Sequence, residues 1–219
     1  MQTEASFLKK PLIPKSPSTA RLVRLMGSGV TLRLSVADRA FLKDLARLQL
    51  LSADLADTYH YRHLKGGSQR SLARLEAAGL ISSQWLYQPG LAPLRVYQFA
   101  SDPVARAYGG RLPVTGAKRT ELHELLTSRA YYALRQPQDF RVAANFTQED
   151  QHQCGSLRPD ALYSEAGETV LVEADSGHYS RGQINQKVNR WRNLGLTRQV
   201  WAQPAHRASS PVPLMPESK

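Results

Sequence analysis

The chain has 219 residues, with 29 lysines and arginines against 18 aspartates and glutamates, a net charge of +11 and a sequence pI near 10.0. That length suits one large domain or two small ones, and the charge selects polyanions, nucleic acid first among them, over the small substrates of an ordinary soluble enzyme. The single cysteine, Cys154, excludes a disulfide framework and a cysteine-based zinc site.

No run of about 18 apolar residues is present to span a membrane, and no basic amphipathic helix carries a large aromatic face suited to an anionic membrane surface. Met1 to Lys10 is too polar for a signal peptide. The chain therefore reads as cytoplasmic, without membrane insertion, and Cys154 has no catalytic surroundings.

Residues 1–33 form a basic arm, with Lys9, Lys10, Lys15, Arg21 and Arg24 scattered among prolines and glycines and no apolar periodicity. It is either a plain tail or an arm that tracks phosphates and enters a minor groove. From Leu34 the pattern turns helical. Ser35 is a candidate N-cap with Asp38 three residues on, and Phe41, Leu42, Leu45 and Leu48 follow at helical spacing. Ser52 opens a short helix to Tyr59. Ser68 is placed to cap a third helix, Gln69 to Ala78, which stops at Gly79. Two strand-like runs, Leu80–Tyr87 and Leu94–Ala100, flank a Pro-Gly turn.

Three helices followed by a hairpin, with the phrase Ala77-Ala78-Gly79-Leu80-Ile81 before the hairpin, resemble a winged helix-turn-helix over residues 34–110. The resemblance implies that the third helix enters the major groove of double-stranded DNA, with Gln69, Arg70 and Arg74 as base readers. It also puts Arg95 on the wing and Lys65 before the helix on phosphates. The alternative is a protein-binding winged helix on which these side chains are merely solvated.

Ser101-Asp102-Pro103 opens a short helix to Tyr108, and Gly109-Gly110-Arg111-Leu112-Pro113 reads as a linker with the boundary near residue 112. A long helix follows, Ala117 to Arg135, whose buried stripe is Leu122, Leu125, Leu126, Ala130 and Ala133. Glu121 and His123 lie at the edges of that stripe and Glu124 points away. Phe140 to Ala144 reads as a strand. Asn145 to Gly155 reads as a polar loop whose Glu149, Asp150 and His152 suit a solvated turn better than a metal site.

The densest chemistry follows. Arg158-Pro159-Asp160 begins one strand, and Val170 to Asp175 makes the next, after a turn at Gly167-Glu168. Alternation puts Leu171, Glu173 and Asp175 on one face and Val170, Val172 and Ala174 on the other. Asp160 on the neighbouring strand can join Glu173 and Asp175, and three converging carboxylates need a shared cation or proton; oxygen donors of this kind suit Mg²⁺ or Mn²⁺. The helix Arg181–Asn193 then carries Ile184, Val188, Trp191 and Leu194 as a stripe, with Lys187 inside it. A lysine there needs an anionic partner. Arg198 to Ala202 reads as a last strand, and residues 204–219 as a disordered tail.

Pro159-Asp160, a spacer and Glu173 resemble the PD-(D/E)xK nuclease core. The longer string Glu173-Ala174-Asp175-Ser176-Gly177 followed by a helix with Lys187 is similar to the replication-relaxation proteins and MobC-type plasmid relaxases. The fold implied is α+β: a winged helix followed by an α/β restriction-endonuclease-like domain over residues 113–203. Glu121 is implied as a further acid from the first helix, and the string Leu122-His123-x-Leu125 resembles the opening helix of the replication-relaxation proteins, bringing in His123. The family's lysine two residues after the glutamate is Asp175 here. Lys187 takes that role, or Asp175 is a further metal ligand, or the site is inactive.

The resemblance implies a DNA relaxase or nickase of plasmid mobilisation or replication, acting at an origin-like site with Mg²⁺ or Mn²⁺ and with relaxosome accessory proteins. Tyr179 stands near the acids as either a covalent nucleophile or a packing residue. The rival is a DNA-binding repressor or accessory protein whose nuclease-like domain serves in a homodimer. A transposon-end or restriction nuclease with the same core is a third reading.

Overall fold

The computed structural model describes residues 21–24, 31–87, 92–112, 121–177 and 179–203. Within the expected basic arm, β1 (Arg21–Arg24) and β2 (Thr31–Leu34) pair as an antiparallel hairpin, so part of that segment is ordered. The reason lies at its end, where Leu34 enters the core and anchors β2 against the next helix.

Helix α1 (Val36–Leu48) starts where the sequence says it should. Asp38 N–H donates to Ser35 Oγ at 3.1 Å and Ser35 N–H donates to the Asp38 carboxylate at 2.7 Å, a reciprocal capping box. Phe41, Leu42, Leu45 and Leu48 make its buried face. After β3 (Leu51–Ser52), α2 (Ala53–Ala56) widens into a π-helical turn, Asp57–Tyr61, that carries the buried His60 and Tyr61 inward. Ser52 and Ser68 do not cap through their side chains. Instead Asp57 Oδ1 accepts the Ser68 amide at 2.6 Å, so α3 (Gln69–Ala77) is capped from the preceding turn. Its C-terminus closes as expected: Leu80 N–H donates to Leu75 O and Gly79 N–H to Glu76 O, with Gly79 at φ +70°. Strands β4 (Ile81–Leu86) and β5 (Leu94–Phe99) pair antiparallel, and β3 adds to the outer edge of β5, giving the order β3-β5-β4.

After α4 (Asp102–Ala107), the chain crosses α1 at very close range. A Cβ on Gly110 would stand 2.8 Å from both Cα and O of Ala46. Only glycine fits against that backbone. Gly110→Ala is expected to cost about 2 kcal/mol, the usual scale of overpacking, read as a lower midpoint in chemical denaturation.

Helix α5 (Glu121–Ala133) does not show the single stripe expected of it. It is buried from Glu124 to Ser128 and from Ala130 to Tyr132, while Leu122 is half-buried and Ala133 exposed. The cause is packing on two sides. Ser128 Oγ donates to Leu50 O at 2.6 Å, Tyr132 O–H to Asp44 at 3.0 Å, and Arg47 Nη1 to Tyr131 Oη at 2.8 Å. One apolar core therefore runs from Leu34 and Phe41 through Leu125 and Tyr131 to Val170 and Val172.

The second large sheet has the order β6-β7-β8-β9, from β6 (Arg141–Val142), β7 (Ala161–Glu165), β8 (Glu168–Ala174) and β9 (Arg198–Ala202). The first three pair antiparallel and β9 joins β8 in parallel, after the crossover helix α7 (Arg181–Asn193). The expected strand Phe140–Ala144 is shortened by a 3₁₀ turn, Ala143–Asn145. The expected polar loop is helix α6 (Gln148–Cys154). Its signal was legible: Thr147 and Asp150 form a second capping box. Arg141 donates to both Asp150 oxygens at 2.9 Å, which commits that acid to structure. Burial opposes ionisation of Asp150, but the Thr147 and Arg141 contacts outweigh it and hold the carboxyl below its ordinary range. Alternation along β8 splits the core as expected: Val170 and Val172 face the main core, while Leu171 meets Cys154, Leu162, Trp191 and Leu196.

Candidate functional site: a buried carboxylate–lysine cluster

Glu173 lies near the end of β8, on the Leu171 face, and is 0 % exposed. Lys187 reaches it from α7, whose start is fixed by a capping box between Ser180 and Gln183. The lysine amine donates to Glu173 Oε2 and, at 3.2 Å, to Tyr179 Oη. The ammonium also lies 4.9 Å from the Tyr179 ring centroid and 5.3 Å from that of Trp191, while Tyr179 meets Trp201 edge-on. Lys187 falls on the buried stripe because its charge is neutralised there and its stem is walled by aromatic rings. Trp191 is four residues on, the spacing that stacks side chains on a helix. The expected stripe partner Leu194 is exposed instead, beyond the end of α7.

Asp160 stands just before β7 and is held from three sides. Its amide donates to Val172 O at 3.0 Å, its Oδ2 accepts the Ala174 amide at 2.8 Å, and its Oδ1 lies 2.7 Å from His123 Nε2. His123 is mostly buried on the first turn of α5. The chain of contacts therefore runs from His123 through Asp160 to Glu173 and on to Lys187 and Tyr179.

Burial and the charge of Asp160 push the Glu173 carboxyl well above its ordinary range, and Lys187 only partly offsets them. Burial also works against the Lys187 ammonium, yet its contacts with Glu173 and Tyr179 raise its hold on the proton overall. The two shifts pull the shared contact in opposite directions. The physical account is that one negative charge in the carboxylate pair is balanced by Lys187 and the second is resisted. Glu173 Oε1 is buried with no donor among the described residues, and Asp160 stands close enough to share a proton with Glu173, a site that a proton or a cation would satisfy.

The other expected site residues fall out differently. Asp175 does not join the pair: its Oδ1 accepts the Gly177 amide at 2.8 Å and its Oδ2 accepts Gln203 Nε2 at 3.2 Å. Its oxygens close on the turn at Gly177 and on Gln203 rather than on Glu173, past the strand end where period-two alternation no longer applies. Among the described residues, no three of His, Cys, Asp and Glu are grouped so as to hold a metal ion. Glu121 is exposed, whereas Glu124, expected to point away, is buried. His123 is the α5 residue that reaches the cluster.

On the N-terminal half, Gln69 and Arg70 are exposed on α3 and Lys65 is exposed before it. Arg74 is not free to read bases. It pairs with the buried Asp38 and donates to Arg33 O at 2.6 Å. Arg95 likewise pairs with Glu76 at 2.8 Å and donates to Ser83 Oγ.

The fold and cluster together define a mixed α and β protein with a half-neutralised carboxylate pair buried beside a lysine. Comparison with protein-family models, curated proteins and solved structures finds no match. Among the described residues no helix is long and apolar enough to cross a membrane.

Proposed function

We propose that the chain is a DNA-binding nickase that cleaves a phosphodiester with a divalent cation, of the kind the relaxase resemblance implies. The observation that carries this reading is the Lys187 ammonium seated on fully buried Glu173 beside Asp160. The helices α1–α3 with the β3-β5-β4 sheet support a winged helix, and α5 with the β6-β7-β8-β9 order and parallel last strand supports a PD-(D/E)xK core.

The residues fit a hard cation in part. Asp160 and Glu173 offer two carboxylates, including the unsatisfied Glu173 Oε1, and Mg²⁺ is commonly held by one or two carboxylates with water and substrate phosphate. When bound, such a cation supplies neutralisation of charge on the phosphoryl oxygens. Lys187 supplies a fixed positive charge to the same oxygens or orients the attacking group. Asp160 fixes the His123 ring, leaving its other nitrogen to hold or pass a proton.

The second reading, a DNA-binding factor with an inactive centre, is favoured by Asp175, which stands in the usual lysine position with its oxygens turned to Gly177 and Gln203. A plasmid-nicking assay with Mg²⁺ or Mn²⁺ separates the two. Wild type is expected to open supercoiled cognate plasmid by one nick, and Asp160→Ala and Glu173→Ala to lose at least ~100-fold of that rate while still binding DNA. Equal behaviour of all three proteins, with binding and no nick, would leave only the DNA-binding factor.

A further inference from the structure

A second, separate feature lies where the two halves meet. A cleft of about 530 Å³ is lined by Lys43 and Arg47 of α1, by Arg111 of the crossing segment, and by Arg141 with Asp139 of the second half. Four cations thus face one carboxylate among the described lining residues. Arg141 is neutralised by Asp150, and Asp139 is turned to the Ser164 amide at 2.8 Å. Among the described residues Arg47 donates to neutral acceptors, Tyr131 Oη and Pro137 O. Lys43 and Arg111 are exposed, and neither forms an ion pair among the described residues.

The frame that holds these charges is rigid. Lys43 and Arg47 are four residues apart on α1, so both project from one side of the helix. Arg111 is fixed to the end of α1, where Gln49 Nε2 donates to its carbonyl at 3.1 Å, and Gly110 sits against Ala46. Asn145 Nδ2 donates to Arg47 O at 3.2 Å and so ties the far wall to the same helix turn. That wall is continuous with the carboxylate cluster: Ala143 N–H, one residue before the lining Ala144, donates to Asp160 O at 2.9 Å.

We infer that this cleft seats a phosphodiester of the bound nucleic-acid strand, with Lys43 and Arg111 as its principal contacts and Arg47 behind them. Among the described residues these three cations form no ion pair with a carboxylate, and together they set up a local field that a dense anion answers. The chain's net charge of +11 favours a polyanion of unbroken charge over a peptide in which charged and neutral side chains alternate. The inference rests on the DNA-binding reading and adds a phosphate contact outside the expected reading helix.

The test compares wild type with Lys43→Gln/Arg111→Gln for binding of a fluorescent duplex across a salt series. Both residues are exposed, so the fold is not at stake. Each phosphate contact contributes about 0.9 to the slope of log affinity against log salt. The double variant is expected to lose about two from that slope and roughly tenfold or more in affinity near physiological salt. In parallel, modification of Lys43 by a lysine reagent is expected to slow when duplex is bound.

Wild type that binds duplex, with an unchanged slope in the variant and unprotected Lys43, would overturn the cleft assignment alone. Wild type that binds no duplex would overturn the DNA reading and this site with it. Protection of Lys43 by polyglutamate at lower concentration than by duplex would make the cleft an acidic-peptide site and sink the proposal.

Discussion

Lys187→Met is expected to destabilise the fold in a pH-dependent way and, if the chain nicks DNA as proposed, to slow that step sharply. Its side chain is only 19 % exposed and its partner Glu173 is fully buried, so the variant leaves a buried carboxylate with no compensating charge. Removing one partner of a buried pair typically costs several kcal/mol, and we expect about 3 kcal/mol near pH 8. The sign of the pH dependence follows from the Glu173 shift. A carboxyl whose folded pKa is raised binds its proton more tightly folded than unfolded. Stability from that group is therefore present at low pH and falls as pH climbs from the ordinary value near 4.5 through the raised one. Losing Lys187 raises that carboxyl further, widening the window. The deficit against wild type should thus be smallest near pH 5 and grow toward pH 8, measured by denaturant midpoints across that range. Nicking should fall at least ~100-fold, as for loss of one preorganised donor to a charged transition state, while duplex affinity is kept. Retained nicking in a folded Lys187→Met protein would remove the lysine from the chemistry.

Much of this site was readable because its signals are local. Period-two alternation placed Glu173 on the Leu171 face, and helical periodicity placed Lys187 on the buried side of α7, so their meeting needed only that β8 and α7 pack together. Asp160 was legible as the start of the adjacent strand. What was lost depended on tertiary surroundings. Asp175 shares the parity of Glu173, but the strand ends at Ala174 and the backbone turns, so its oxygens close on Gly177 and Gln203. Helix α5 has no clean stripe because both halves cover it, which hid Glu124 and left Glu121 outside. Arg74 looked like a base reader because it is polar and lies on an exposed-looking face. Nothing local announces that Asp38, 36 residues earlier, waits beneath it. Helix α6 is a different case, since Thr147-x-x-Asp150 carried a capping signal that outweighed the polar composition of the segment.

That arginine's partner gives the second large effect: Asp38→Ala should cost roughly 4 kcal/mol. The Asp38 side chain is 0 % exposed and serves three groups at once. Its Oδ2 accepts the Ser35 amide at 2.7 Å and the Arg74 guanidinium, and its Oδ1 accepts the Tyr61 hydroxyl at 3.2 Å. Burial, with Asp38 adding to it, raises the Tyr61 phenol far above its ordinary range, so the hydroxyl stays a donor at every working pH. Alanine would remove the Asp38 half of the capping box, leaving the Ser35 amide without its acceptor while Ser35 Oγ still caps residue 38, leave Tyr61 buried without an acceptor, and release the arginine that ties α3 to α1. Asp38→Asn keeps one acceptor, the amide oxygen, for the Ser35 amide, and turns its NH2 toward the Tyr61 hydroxyl, which can accept from it. Losing the charge and one acceptor, it should still cost less than Asp38→Ala, about half as much. Because one core runs through both halves, each variant should shift the denaturant midpoint at unchanged slope. Arg74→Met provides the cross-check. It should destabilise by an amount that overlaps with, and does not add to, that of Asp38→Ala, since both break one pair. Additive losses would show that Arg74 has its main partner elsewhere and would restore it as a candidate reader of DNA.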